Sequence, residues 1–157
     1  MIDDYSSIPI DELILNEDSI EWDKFSASKK HLSLAEVRLF RSKIKWNIFF
    51  IKGGVLDHNQ LNVASKYFTS TTYQLLSNMH WVSQQFISEF KDRFNWEKLI
   101  RTVYLTPATI LSSLDIIKEQ IPNSSDLKSA FESALFFRIT DPEYEEIKLY
   151  VDVNSSI

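Results

Sequence analysis

The side chains best suited to acid/base or metal chemistry in this chain are three histidines, His31, His58 and His80. A metal site needs ligands at spacings that a helix or turn makes converge, and the chain has no His-x-x-x-His or Glu-x-x-x-His pair. The three rings therefore read as surface or capping histidines, and no metal ligand is assigned. Serine, lysine and tyrosine are plentiful, but no nucleophile and base stand at a recognisable spacing. With only two glycines, a glycine-rich oxyanion or phosphate-cradling loop cannot be built. Cysteine is absent, which removes thiol catalysis, zinc-thiolate sites and disulfides. These readings lead to a protein that is not an enzyme and carries no cofactor.

Charge is the next candidate for chemistry, because the formal net charge of -5 conceals a segregation along the chain. Residues 1 to 23 hold eight acids and no Lys or Arg, residues 24 to 52 hold eight bases against the single acid Glu36, and the remainder holds 13 acids and 9 bases. Arg38, Arg41 and Lys45 follow one another at spacings of three and four, as on one helix face opposite a Val37, Phe40, Ile44 stripe. With Lys29 and Lys30 they form a basic surface that would meet an acidic protein or, as the alternative, nucleic acid. The other reading of the same residues is a solvated face partly neutralised by the acidic N-terminal segment. A second acidic run, Asp141, Glu143, Glu145 and Glu146 around Tyr144, suits a solvated first turn of a helix.

Four tryptophans complete the set: Trp22, Trp46, Trp81 and Trp96. Three of them belong to an internal repeat, which must be identified before any fold is assigned. Four segments begin with an apolar residue and a capping residue: Leu32-Ser33, Leu56-Asp57, Val82-Ser83 and Leu105-Thr106. Five positions after each start stand Val37, Leu61, Ile87 and Ile110, and twelve positions after stand Ile44, Phe68, Phe94 and Ile117. Eight positions after come Phe40, Ala64, Phe90 and Ser113. Tryptophan follows two starts by fourteen, as Trp46 and Trp96, with an apolar residue three further on. Thr72 and Leu75 serve as the degenerate copy in the second segment. Trp81 lies out of register, just before a cap, and is the tryptophan left to face a partner.

Each unit, about 24 residues long, predicts two short helices. Ser33, Asp57, Ser83 and Thr106 cap the first, and offsets 5, 8 and 12 fall on one stripe. Pro107 takes the first-turn position where a missing N–H is harmless. Neither helix can bury its stripe alone, so units must stack. Residues 8 to 22 keep a partial copy in Ile8, Leu13, Ile20 and Trp22, an N-terminal cap. The Gly53-Gly54 pair marks the sharpest turn or a break. After a loop at residues 122 to 126, a helix is expected from Leu127 to about Phe137. Residues 147 to 153 alternate apolar and polar, as a short strand does, but no partner strand is evident, so strand and helix both stay open. Residues 154 to 157 read as a frayed tail.

The text Ser83-Gln84-Gln85-Phe86-Ile87-Ser88-Glu89-Phe90-Lys91-Asp92-Arg93-Phe94-Asn95-Trp96, continuing to Leu99, resembles a short leucine-serine and tryptophan repeat found in tandem in uncharacterised proteins of large DNA viruses and some phages. Residues 32 to 49 and 105 to 117 carry it more loosely, and residues 56 to 75 barely. The resemblance implies an α-helical repeat of viral or phage origin and brings no catalytic residues.

The expected architecture is all-α, a short helical-repeat solenoid or compact bundle of about eight to ten helices. It would form a single domain with an acidic cap (1 to 23), repeat units (24 to 120) and a C-terminal cap and tail (121 to 157). The N-terminus resembles no signal or transit peptide and no apolar run is long enough to span a bilayer, so the expected place is the cytoplasm, of a host if the chain is viral. The expected function is protein binding, with the expected contact residues Lys29, Lys30, Arg38, Arg41, Lys45 and Trp81. The partner would be a host protein, such as a defence factor, blocked sterically.

Overall fold

The computed structural model describes residues 4 to 134 and 142 to 155. Among them the fold is all-α. Twelve α-helices follow one another: α1 (Ile10–Leu15), α2 (Trp22–Ser28), α3 (Leu34–Phe40), α4 (Trp46–Ile51), α5 (His58–Ala64), α6 (Ser70–Leu76), α7 (Gln84–Glu89), α8 (Trp96–Thr102), α9 (Pro107–Leu111), α10 (Leu114–Gln120), α11 (Ser124–Glu132) and α12 (Pro142–Ser155). Two single 3-10 turns, Glu17–Ser19 and Ser65–Tyr67, complete the set. The count exceeds the eight to ten expected because the degenerate units also keep both helices and the C-terminal region adds two more.

All four expected caps form. Ser33, Asp57, Ser83 and Thr106 accept from the backbone N–H three residues on, at Glu36, Gln60, Phe86 and Thr109. Glu36 and Gln60 reach back to close full capping boxes. The apolar residue before each cap, Leu32, Leu56, Val82 or Leu105, is buried, as are Val37, Leu61, Ile87 and Ile110 at offset 5. Offset 8 is looser: Phe40, Ala64 and Ser113 are buried but Phe90 is half-buried, and the offset-4 residues Glu36, Gln60, Phe86 and Thr109 are buried in all four units. Phe86 lies 4.6 Å from Phe90 between ring centroids and 6.0 Å from Phe94.

The tryptophans start the second helices. Trp46 and Trp96 are buried at the first residue of α4 and α8, and each indole N–H donates to the carbonyl five residues back, Arg41 at 2.9 Å and Lys91 at 2.7 Å. In the segment from Leu56 the fourteenth position is Ser70, which opens α6, with buried Tyr73 three further on. The degenerate slot is thus Ser70, not Thr72, because the helix register follows the offset from the cap.

Contacts divide the chain into two compact units, Met1–Leu75 and Leu76–Ile157. In the first, α2 packs on α4 and α3 on α5. In the second, α7 packs on α9 and α8 on both α10 and α11. First helices therefore stack on first helices and second on second, the arrangement by which short amphipathic pairs bury their stripes. Hydrogen bonds tie consecutive pairs together. Ser26 accepts from the Lys45 N–H at 2.8 Å, and Ser77 plays the same part for Asn95 at 3.0 Å, so each polar side chain satisfies the start of a later helix.

At the end of α4 the glycine pair forms a turn, not a break. Gly53 has φ +90° and its N–H donates to Phe50, while the Gly54 N–H donates to Phe49, a Schellman closure. Gly54 also lies against the Phe49 ring, where an added Cβ would fall 2.4 Å from a ring carbon.

Residues 147 to 153 belong to α12, not to a strand. Tyr144, Ile147 and Val151, spaced three and four apart, are buried, whereas Leu149 and Val153 are 65% and 57% exposed. The apparent alternation arose because 147/151 and 149/153 are both i, i+4 pairs, and only the first pair has a core to face. α12 packs on α9 and α11, and the Tyr144 hydroxyl donates to the Leu105 carbonyl at 2.7 Å. α11 is helical to Glu132; the expected extension to Phe137 runs into residues 135 to 141, outside the described set. Asn154 and Ser155 close α12 instead of fraying, and residues 156 and 157 also lie outside.

One buried hydroxyl has no hydrogen-bond partner among the described residues: Ser113, fully buried at offset 8. Replacing Ser113 with Ala removes an unpaired polar group and should leave stability unchanged or raise it by up to about 1 kcal/mol. Ser83→Ala, which strips the α7 cap, should lower stability by about 1 kcal/mol. Urea unfolding of the full chain separates the two.

Candidate functional site

The six residues assigned to partner contact divide by surroundings. Lys29 is buried: its Nζ meets Glu36 Oε1 at 2.9 Å and lies 5.6 Å from the Phe25 ring centroid. The other Glu36 oxygen accepts from the Ser33 N–H at 2.7 Å. A base drawn into the capping box of α3 is not part of the surface, which corrects its assignment there. The reason is local: Glu36 is the only acid among residues 24 to 52, and its place at the third position of α3 is taken by the cap.

Lys30, Arg38 and Lys45 are exposed and Arg41 is half-buried. They do not share one helix. α3 ends at Phe40, Arg41 is its C-cap, and Lys45 is the residue before Trp46, so Arg38, Arg41 and Lys45 come from a helix, its end and the start of the next. The break is required for Trp46 to begin α4 and reach the Arg41 carbonyl. Trp81 is half-buried and belongs to the second unit.

Partial neutralisation by the acidic segment does occur, but selectively. Lys43 pairs with Glu17 and its Nζ lies 5.7 Å from the Trp22 ring centroid, while Lys24 pairs with Glu21 at 3.0 Å. Among the described residues Arg38, Arg41 and Lys45 have no acidic partner. Arg41 instead rests its guanidinium 5.9 Å from the centroid of the Tyr67 ring, a cation–π contact at the surface.

Tyr67 and Lys45 both line an open groove of about 340 Å³ in the first unit, with Ile44, Ile48, Asn47 and Thr72. The 3-10 turn Ser65–Tyr67 brings Tyr67 there and leaves it 37% exposed. Thr72 donates to Asn47 Oδ1 at 2.7 Å, fixing the side chain that joins α4 to α6. Sequence reasoning missed Tyr67. The available signal was its slot: eleven residues after a start, where two other units carry Lys43 and Arg93, the second unit carries an aromatic.

The remaining candidates do not converge. His31 and His80 are exposed, and His58 is half-buried with Nε2 2.9 Å from the Asn62 amide nitrogen. Among the described residues no three His, Cys, Asp or Glu side chains are placed to hold a metal ion. The backbone N–H of Ser6 donates to Asp4 at 2.8 Å and holds that carboxyl below its ordinary range, but on a fully exposed turn and not in a cleft. Of the C-terminal acidic run, Glu145 and Glu146 are exposed and Tyr144 is buried; Asp141 lies outside the described residues. No described helix is long and apolar enough to cross a membrane.

Comparison with protein-family models, with curated proteins and with solved structures finds no match to this chain.

The contrast between a buried and an exposed base is measurable. Lys29→Met leaves Glu36 buried without its counter-charge and should cost about 3 kcal/mol. Lys45→Met should change stability by no more than about 0.5 kcal/mol. Urea unfolding monitored by far-UV circular dichroism reads both.

Proposed function

We propose that this chain is a non-enzymatic binding protein whose stacked helix pairs present a surface to another protein. The observation that carries the reading is the selective pairing of bases in the first unit. Lys24, Lys29 and Lys43 are matched by acids of the same unit, while Arg38, Arg41 and Lys45 have no acidic partner among the described residues, and Lys45 lines an open groove whose Tyr67 ring carries Arg41. Unmatched charge at a surface steers and orients an oppositely charged partner. The resemblance of residues 83 to 99 to viral and phage repeats adds that the partner is a host protein met in the host cytoplasm, such as a component of host defence. The effect on it would be steric occlusion.

Contact with nucleic acid is the second reading, favoured by the same three bases. Titration of labelled DNA and RNA across salt separates the two, since phosphate contacts give a steep fall of affinity with salt. The protein-binding reading expects no such binding at low salt. It also expects that reversing Arg38, Arg41 and Lys45 to Glu removes specific partners from a pull-down out of host extract while the circular dichroism spectrum stays unchanged. An unaltered partner set would remove the basic face as the binding surface.

A further inference from the structure

The groove of the first unit has two chemically distinct parts. Its wall is aromatic and aliphatic, with Tyr67 exposed and Ile48 half-buried. Its basic side is set by Lys45, which lines it, and by Arg41, whose guanidinium sits on the Tyr67 ring. Neither base has an acidic partner among the described residues. Asn47 spends its Oδ1 on Thr72, and its amide N–H2 has no acceptor among the described residues, leaving a neutral donor at the same place. About 340 Å³ is room for a few side chains, and the groove is too open to enclose a small ligand.

We propose that the groove seats a short acidic peptide segment of a partner protein. One apolar side chain of the segment enters against Ile48 and Tyr67, and carboxylates on either side of it meet Lys45 and Arg41. The inference rests on the protein-binding reading above and names the chemistry of the partner. A nucleic-acid duplex fits less well. Residues 1 to 75 hold ten acids against nine bases, and Asp11, Glu12, Asp18 and Asp23 are exposed on the same unit. A long polyanion would meet those acids, whereas a segment of a few residues stays within reach of the local bases. An apolar wall also contributes nothing to phosphate binding, but it gives a leucine-sized side chain a surface on which to leave water.

The test uses the full chain and fluorescence anisotropy at low salt. The probes are a fluorescein-labelled octapeptide of Asp and Glu around one central Leu, the same peptide with Ser for Leu, and a labelled DNA duplex. The Leu peptide should bind about tenfold more tightly than the Ser peptide, as an anchor side chain requires. Tyr67→Ala should abolish that difference, and Lys45→Glu should weaken both peptides about tenfold. Lys45 is exposed, so its variant keeps the charge test valid even if the loss of Tyr67 disturbs the turn. Equal binding of the two peptides, binding of neither, or a Leu preference that survives Tyr67→Ala overturns the proposal. So does DNA that binds more tightly than the Leu peptide and ignores Tyr67→Ala. A partner protein that is captured through the basic face but not displaced by the Leu peptide removes the groove and leaves the protein-binding reading standing.

Discussion

Helix ends are the constraint on which everything else in this chain depends. Eleven of the twelve described α-helices are nine residues long or shorter. A helix leaves its first four N–H and last four C=O groups without intrahelical partners, so in a six-residue helix nearly every backbone polar group is terminal. Such elements persist in a core only if side chains or neighbouring loops supply the missing partners. The chain answers with 20 serines and seven threonines, and with hydrogen bonds that reach from one helix pair to the next. Gln120 shows the pattern: it accepts from the Trp96 N–H at 3.0 Å and donates to the Phe94 carbonyl at 2.9 Å, joining two stretches more than twenty residues apart. Gln84 does the same around residues 104 to 106, accepting from the Thr106 N–H and donating to the Tyr104 carbonyl.

The same constraint sorts the charges. A capping box at the start of α3 places Glu36 where its second oxygen is buried, and a buried carboxylate requires a counter-charge. Lys29 meets that need and leaves the surface. At the surface Lys24 and Lys43 pair with Glu21 and Glu17, and the bases left without an acid include Arg38 in the last turn of α3, Arg41 at its C-cap and Lys45 just before α4. The unmatched basic surface is thus a remainder, set by what the folding of short helices does not consume.

This explains how far the sequence could be read. The caps and the positions at offsets 5 and 12 were legible because they are local: a capping residue and an apolar stripe act within one or two turns. The offset-8 position was less so, since Phe90 is half-buried, and offset 4 is buried in all four units although Glu36, Gln60 and Thr109 hide it from an apolar pattern. Residues 147 to 153 show the same limit, because a two-residue alternation and a pair of four-residue spacings look alike until the core side is known. Lys29 looks like a surface base in the sequence because a charge count does not register burial. Tyr67 lies between the apolar stripes, where periodicity carries no signal.

The indole hydrogen bonds of Trp46 and Trp96 have a consequence for how such a chain can vary in length. Each fixes the loop between the two helices of its pair by holding the carbonyl five residues back. From the residue before the cap to the residue that opens the second helix the interval is fourteen in three pairs: Leu32 to Trp46, Leu56 to Ser70 and Val82 to Trp96. From there to the next start it is ten, twelve and nine. In the fourth pair, Leu105 to Leu114, the first interval shortens to nine. Among the other three pairs the first interval is constant and the second varies, so their differences in length fall in one connection. Drift in length at that connection leaves the pairs themselves intact.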